Sequence, residues 1–198
     1  TTSTITVGAS SKGIHDASTF TITGGLSGNV TTLSGSIEDH ALTLDGSAFV
    51  GSLDMSFGDD GLVQTNQSDI ISIKGGLEAK DKLTVSQSGT NTGTFTMTGV
   101  ETLVFGSDTA ASTLDLKNVT GLTSLVITDD AGTQHNATIN NAPVGVAVDV
   151  GVASGADYSG ANALIDYNIT TNSGSSDSVT FNLVNTASLD LDTDGIET

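Results

Sequence analysis

Apolar and polar residues alternate in short segments along the whole chain. Thr19–Thr23 reads Thr-Phe-Thr-Ile-Thr, Leu53–Phe57 reads Leu-Asp-Met-Ser-Phe, and Val146–Val150 reads Val-Ala-Val-Asp-Val. A period of two puts successive side chains on opposite faces of a strand, so each segment predicts a strand with one buried face. The other segments with this pattern are Thr4–Val7, Leu42–Leu44, Ile71–Ile73, Leu83–Val85, Phe95–Met97, Leu103–Phe105, Leu114–Leu116, Leu125–Ile127, Val179–Leu183 and Leu189–Leu191.

The alternation and the composition together predict an all-β fold. Thr, which favours strands, and Gly and Ser, which favour turns, are abundant, whereas Glu, Lys and Met are few. Between residues 72 and 148 the segment centres lie about 8 to 12 residues apart, a spacing typical of β-solenoids and β-sandwiches. Short strands with one apolar face around a single core favour a β-solenoid of the β-helix or β-roll kind. Stacked β-sandwich modules are the alternative.

The sequence also repeats itself at an offset of 96 residues. Residues 81–102 align without gaps onto residues 177–198, which predicts an internal repeat. It divides the chain into an N-terminal β-strand-rich region, 1–76, and a repeat-bearing β region, 77–198. The identical pairs are Asp81/Asp177, Thr84/Thr180, Thr90/Thr186, Gly99/Gly195, Glu101/Glu197 and Thr102/Thr198, and the matched apolar pairs include Leu83/Val179, Val85/Phe181 and Val100/Ile196. Since the predicted strand Leu103–Phe105 follows only the first copy, we expect the chain to belong to a longer repetitive protein.

The charge of the chain excludes several classes of partner. It carries 23 acidic residues against five lysines and no arginine, for a formal net charge of −18. Such a field repels nucleic-acid backbones and anionic lipid surfaces, and no apolar run is long enough to span a membrane. Divalent cations are the partners that this charge favours. The absence of cysteine removes disulfides as a source of stability.

Two stretches resemble repetitive bacterial surface-layer proteins. They are Gly99–Leu103 followed by Ala111–Leu125, and Asp177–Leu183 leading into Gly195–Thr198. The resemblance implies a large, acidic, cysteine-free protein exported by type I secretion, related to calcium-binding RTX proteins and displayed on the cell surface as a lattice dependent on Ca²⁺. The glycine-rich RTX nonapeptide itself is absent, and Gly24–Asn29 is the nearest approach to it.

Three groups of aspartates are candidate Ca²⁺ ligands. Asp190, Asp192 and Asp194, followed by Gly195, match the opening of an EF-hand-type loop. The alternative is an extended strand with all three carboxylates on its solvent face, as the aligned Thr94, Thr96 and Thr98 of the first copy indicate. The other two groups are Asp59 with Asp60 and Asp129 with Asp130, which follow predicted strands and suit either ordinary turns or turn-borne Ca²⁺ sites.

No catalytic role is predicted. The histidines, His15, His40 and His135, lie far apart without metal-ligand spacing, and the chain has no Gly-x-Ser-x-Gly elbow. Trp is absent and only two tyrosines are present, which disfavours an aromatic-lined sugar cleft. The prediction is therefore a secreted structural protein whose copies assemble into a surface layer or filament stabilised by Ca²⁺. An adhesin or carbohydrate-binding module that binds surface polysaccharide is the first alternative, and a β-helical polysaccharide-degrading enzyme is the second.

Overall fold

The structure, a computed structural model, describes residues 2–7, 18–35, 42–57, 70–90, 93–129, 136–151, 163–169, 178–184 and 189–194. Every regular element in these ranges is a β-strand, and no helix there is long and apolar enough to cross a membrane. The strands are β1 (Thr2–Val7), β2 (Ser18–Gly24), β3 (Val30–Gly35), β4 (Leu42–Phe49), β5 (Ser52–Phe57), β6 (Ile70–Lys74), β7 (Lys82–Thr90), β8 (Thr94–Thr98), β9 (Thr102–Asp115), β10 (Asn118–Thr120), β11 (Ser124–Asp129), β12 (Asn136–Ala142), β13 (Ala147–Val150), β14 (Ala163–Ile169), β15 (Thr180–Leu183) and β16 (Leu189–Asp194).

The strands stack in parallel as a β-solenoid, which confirms the predicted fold class. The odd-numbered strands form one ladder in the order β1-β3-β5-β7-β9-β11-β13-β15, which we call the odd ladder. Strands β2-β4-β6-β8-β10 form a second sheet, the even ladder. Partners in the odd ladder lie from 20 residues apart, at Lys82 and Thr102, to 33 residues apart, at Ala147 and Thr180. The odd ladder runs through all the described coils, whereas the even ladder ends at β10.

Strand β9 connects the odd ladder to a third wall. Its first half pairs with β7 and β11, and its second half, from Ser112 onwards, pairs with β12. Strands β12-β14-β16 continue from it as the C-terminal ladder. The register of β9 against β7 shifts between Ser107, opposite Gln87, and Ser112, opposite Gly89. The buried hydroxyl groups of Ser107 and Ser112 are hydrogen-bonded at 3.0 Å, and the Ser112 hydroxyl donates to the Gln87 carbonyl oxygen at 2.6 Å. These bonds satisfy polar groups that lie in the interior at this irregularity.

The inward side chains line up in columns because the rungs are in register. Each member of the two inner columns of the odd ladder is at most 1 % exposed, and each fully buried Leu or Phe contributes about 1.5–3 kcal/mol to stability. The first column is Leu33, Met55, Leu83, Leu103, Leu125 and Val148, and the second is Phe57, Val85, Phe105, Ile127 and Val150. Alternation in the sequence thus becomes a continuous core along the solenoid axis.

Glycines recur at the described corners between an even strand and the next odd strand. Gly99 and Gly121 have φ values of 64° and 89°, which side-chain-bearing residues rarely adopt. Gly75 is required for a different reason: a Cβ atom there would overlap the Gly99 carbonyl oxygen of the next coil and approach Asp81 Oδ2 to 2.7 Å. The corners of adjacent coils stack this closely because Gly75 N donates to the Thr98 carbonyl oxygen at 2.9 Å.

The two copies of the sequence repeat contribute strands to the same ladder but not in equivalent register. The repeat aligns Thr84 with Thr180, whereas the strand pairing through β9, β11 and β13 places Thr180 level with Lys82. Residues 82–90 form β7 in the odd ladder, and the aligned copy contributes β15 to the same ladder. The following strands are β8 and β16, although β8 belongs to the even ladder and β16 to the C-terminal ladder. Strand pairing continues from β5 to β7 and from β6 to β8, across the boundary that the sequence places between residues 76 and 77. That boundary remains a division of the sequence.

Substituting Gly75 by alanine should destabilise the solenoid by about 3 kcal/mol or more, because the new methyl group meets backbone that cannot move aside. Gly28→Ala is the matched control: Gly28 also lies in a corner, with φ at 78°, but nothing is within 4 Å of an added Cβ. Its cost should be the left-handed strain alone, about 1–2 kcal/mol. Urea unfolding of both variants measures the difference, and equal losses would contradict the stacked corner.

Candidate functional site

The predicted Ca²⁺ ligands divide into those that the structure describes and those that it does not. Asp59, Asp60 and Asp130 lie outside the described residues, as does the side chain of Asp129, whose backbone ends β11. Asp190, Asp192 and Asp194 all lie on β16 with exposed side chains. Their backbone is an extended strand, which is the alternative that the threonines of the first copy indicated. The EF-hand-type loop is not the local conformation here.

The register of β14 and β16 determines which residues lie opposite these carboxylates. Asp192 lies opposite Asp166, Asp194 opposite Asn168, and Asp190 opposite Leu164. Like charges directly across a rung repel. Within the described ranges, no group of three His, Cys, Asp or Glu side chains is placed to hold a metal ion. Calcium at the predicted positions therefore stays a prediction.

The most constrained carboxylate is one that the search for metal-binding patterns missed, Asp81. It is 0 % exposed and precedes β7. Its Oδ1 accepts a hydrogen bond from Leu53 N, and its Oδ2 accepts one from Gly76 N, both at 2.6 Å. Its own N–H donates to Glu101 Oε2 at 2.9 Å, and its carbonyl oxygen accepts from Thr102 N at 3.1 Å. Asp81 thus joins the coil before it to the coil after it.

Burial dominates the electrostatics of Asp81. Desolvation raises the pKa of the carboxyl group above its ordinary value, the two backbone hydrogen bonds oppose that rise, and the negative charges of Glu101 and Glu78 add to it. The chain continues the same corner with Glu101, whose carbonyl oxygen accepts from Thr123 N at 2.9 Å and Ser124 N at 3.0 Å. The corner is therefore a hydrogen-bonded seam that runs through successive coils.

A second carboxylate, Glu78, holds two corner turns together. It accepts hydrogen bonds from the Ser27 hydroxyl group and, at 2.8 Å, from Gly28 N. The Ser27 bond and then the Gly28 bond lower the pKa of Glu78. The neighbouring Leu26 and Leu77 are 69 % and 68 % exposed, so the clasped turns present two apolar side chains to the surface.

Two lysines form ion pairs with aspartates of adjacent coils. Lys74 Nζ lies 2.9 Å from Asp45 Oδ2 on the even ladder, and Lys82 Nζ lies 3.0 Å from Asp54 Oδ2 on the odd ladder. Both pairs face each other in register. The Ser47 hydroxyl group and then Lys74 lower the pKa of Asp45 to about 2. These lysines neutralise acids within the solenoid.

The sequence contained one weak signal for the Asp81 seam, because Asp81, Gly99, Glu101 and Thr102 are all identical between the two copies of the repeat. The corresponding Asp177, Gly195, Glu197 and Thr198 lie outside the described residues. Repeated identity at a corner is thus a better indicator of a structural carboxylate than proximity to other acids.

Comparisons with known proteins return nothing for this chain: no protein-family model, no curated protein and no solved structure matches it.

Replacing Asp192 by asparagine should stabilise the protein in a low-salt buffer with chelator. The substitution removes one of two carboxylates that face each other across a rung, a gain of about 0.2–1 kcal/mol. Asp190→Asn, opposite Leu164, is the matched control and should give a smaller gain. Urea unfolding measures both, and Ca²⁺ should abolish the Asp192 gain if a shared cation neutralises that repulsion. Identical behaviour of the two variants would rule out the Asp166–Asp192 repulsion.

The raised pKa of Asp81 predicts an unusual pH dependence. A carboxyl group whose folded-state pKa exceeds its unfolded value, about 3.9, stabilises most below that value and loses this contribution as the pH rises to the folded pKa. The melting temperature of the wild type should therefore fall relative to Asp81→Asn as the pH rises above about 4. Asp45→Asn should change relative to wild type only below about pH 4, where the stabilising charge of Asp45 is lost. A pH-independent difference for Asp81→Asn would contradict the effect of burial.

Proposed function

We propose that the chain is a structural unit of a self-assembling extracellular layer or filament, not an enzyme. A β-solenoid with in-register rungs suits this role because it presents long, regular outer walls whose chemistry repeats from coil to coil. Such walls serve association with a periodic partner, including another copy of the same chain. Secretion and display on the cell surface follow from the resemblance to repetitive surface-layer proteins.

The observation that carries the proposal is the composition of the outer walls, in which short uncharged side chains predominate. The odd-ladder face, defined as the two outward columns of β3 to β15, has fourteen residues, of which one lysine and two aspartates are charged. The two columns consist of Thr32, Asp54, Lys82, Thr102, Ser124, Ala147 and Thr180, and of Ser34, Ser56, Thr84, Val104, Val126, Asp149 and Asn182. A nearly neutral wall is where copies of so acidic a chain can approach each other.

The outward columns of the even ladder are also nearly neutral. Their only charged members are Asp45 and Lys74, which neutralise each other. The columns consist of Thr19, Thr43, Ser72, Thr96 and Asn118, and of Thr21, Asp45, Lys74, Thr98 and Thr120. Two such walls give the solenoid more than one surface on which an extended assembly can grow.

Divalent cations enter the proposal through the C-terminal part of the chain. Residues 118–198 contain no lysine or arginine, although Asp149, Asp166, Asp190, Asp192 and Asp194 are among their acids. The acidic C-terminal ladder of one copy can therefore meet another acidic surface only when cations neutralise the contact. Ca²⁺, which binds carboxylates and carbonyl oxygens readily, suits this bridging role.

Calcium should promote assembly of the full chain, and chelation should reverse it. We expect sheets or fibres by electron microscopy, and a larger sedimenting mass, in millimolar Ca²⁺ but not in excess EDTA. Sodium chloride at matched ionic strength is the control for simple screening. If Ca²⁺ binds the folded chain, a concentration 100-fold above its Kd adds about 2.7 kcal/mol of stability. Assembly and melting temperature that are both unchanged by EDTA would eliminate the calcium dependence.

A further inference from the structure

We infer that the odd-ladder face is the surface on which a second copy of this chain packs, with Val104 of one copy against Val126 of the other. This inference rests on the proposed self-assembly and identifies the contact that would bring it about. Three properties of the face support it: an apolar centre, charges placed at opposite ends, and an area that matches a weak, repeated contact.

The apolar centre comes from two adjacent rungs. Val104 on β9 and Val126 on β11 lie in register, point outward and are half-buried by their neighbours on the wall. The side chains beside them, Thr102 and Ser124, are short and uncharged. Each wall carries one ion pair, Asp45–Lys74 on the middle rungs of the even ladder and Asp54–Lys82 on β5 and β7 of the odd-ladder face. Desolvation of an ion pair costs free energy at an interface. The odd-ladder face is the better contact surface for a like copy because its central rungs, β9 and β11, carry no charge in the two outward columns.

The charges on the face fit a two-fold arrangement. A two-fold axis parallel to the strands, midway between β9 and β11, places β9 over β11 of the second copy and β7 over β13. Lys82 of each copy then lies over the strand that carries Asp149 of the other. Asp54 faces β15, whose outward residues, Thr180 and Asn182, are uncharged. No acid of this face lies over another acid, so the arrangement is complementary to itself.

The area matches a weak, repeated contact. In this arrangement the six strands from β5 to β15 overlap, and at about 4.8 Å per rung they span roughly 29 Å. Since β13 and β15 are four residues long, they and the strands that they face overlap over about four residues, and β9 and β11 over about six. At about 3.3 Å per residue this gives about 440 Å² per copy and about 890 Å² in total, the size of weak or transient interfaces.

The first test measures self-association of the full 198-residue chain by sedimentation equilibrium. Val104→Lys should weaken association at least tenfold. The substitution makes the net charge less negative, so a general charge effect would strengthen association instead. Thr98→Lys, at an exposed outward position of the even ladder, is the matched control and should leave association unchanged. Circular dichroism and melting temperature verify that both variants fold.

The second test uses the absence of cysteine from the chain. Mixing a Val104→Cys variant with a Val126→Cys variant and adding a short thiol-to-thiol cross-linker should give mixed dimers in several-fold excess over either homodimer. Thr98→Cys mixed with Thr120→Cys repeats the same in-register relation on the even ladder and should show no such excess. This readout does not depend on the tolerance of the wall for a buried lysine.

The outcomes separate this inference from the proposed function. If the wild type associates but the Val104 and Thr98 variants behave alike in both tests, self-assembly stands and the odd-ladder face is not its contact. If the wild type stays monomeric at all concentrations, with and without Ca²⁺, both fail. If Val104→Lys leaves self-association unchanged but abolishes retention on a surface-polysaccharide matrix, the face binds glycan and not a second copy, which overturns the inference.

Discussion

Parallel hydrogen bonding in register between successive coils is the constraint on which the rest of this structure depends. Because each strand pairs with strands 20 to 33 residues away, a residue's environment is set by the residues at the same height in the neighbouring coils. Columns such as Leu83–Leu103–Leu125 are buried together, and Asp54 meets Lys82 by the same rule. Corners must also superpose, which is why glycine recurs there and why Asp81 can bond backbone on both sides of its own coil.

Period-two alternation located most strands, since it reports which face of a segment is buried. Leu53–Phe57 and Ile71–Ile73, for example, lie within β5 and β6. It could not reveal which strands pair, because partners are a whole coil apart and any two alternating segments look compatible. The alternation also predicted two separate strands, Leu103–Phe105 and Leu114–Leu116. In the structure, the fourteen residues from Thr102 to Asp115 form a single strand, β9. The buried Ser107 and Ser112 lie at the register shift between the two halves of β9. Because these two residues are polar, they interrupt the apolar pattern of the strand.

The carboxylates show where prediction from sequence stops. Clusters of aspartate near glycine drew the metal predictions, yet Asp190, Asp192 and Asp194 lie along an exposed strand. Asp81 has no acidic cluster in sequence around it, and its importance arises from burial against Leu53 and Gly76, one coil and one corner away. Whether a carboxylate is exposed to solvent or buried and hydrogen-bonded depends on how the coils stack. A local sequence pattern does not show which coils lie next to each other.

The stacking of the coils also determines which charges are paired within the solenoid. Lysine is scarce, and Lys74 and Lys82 form ion pairs with Asp45 and Asp54 of the same chain. Little positive charge therefore remains to attract another acidic copy. In the proposed assembly, association through the charged C-terminal ladder would depend on added cations, whereas association through the odd-ladder face would not. The two proposed contacts would therefore differ in their response to Ca²⁺. The net charge of −18 opposes contact between copies in general, so the proposed contact lies on a wall with few charged side chains.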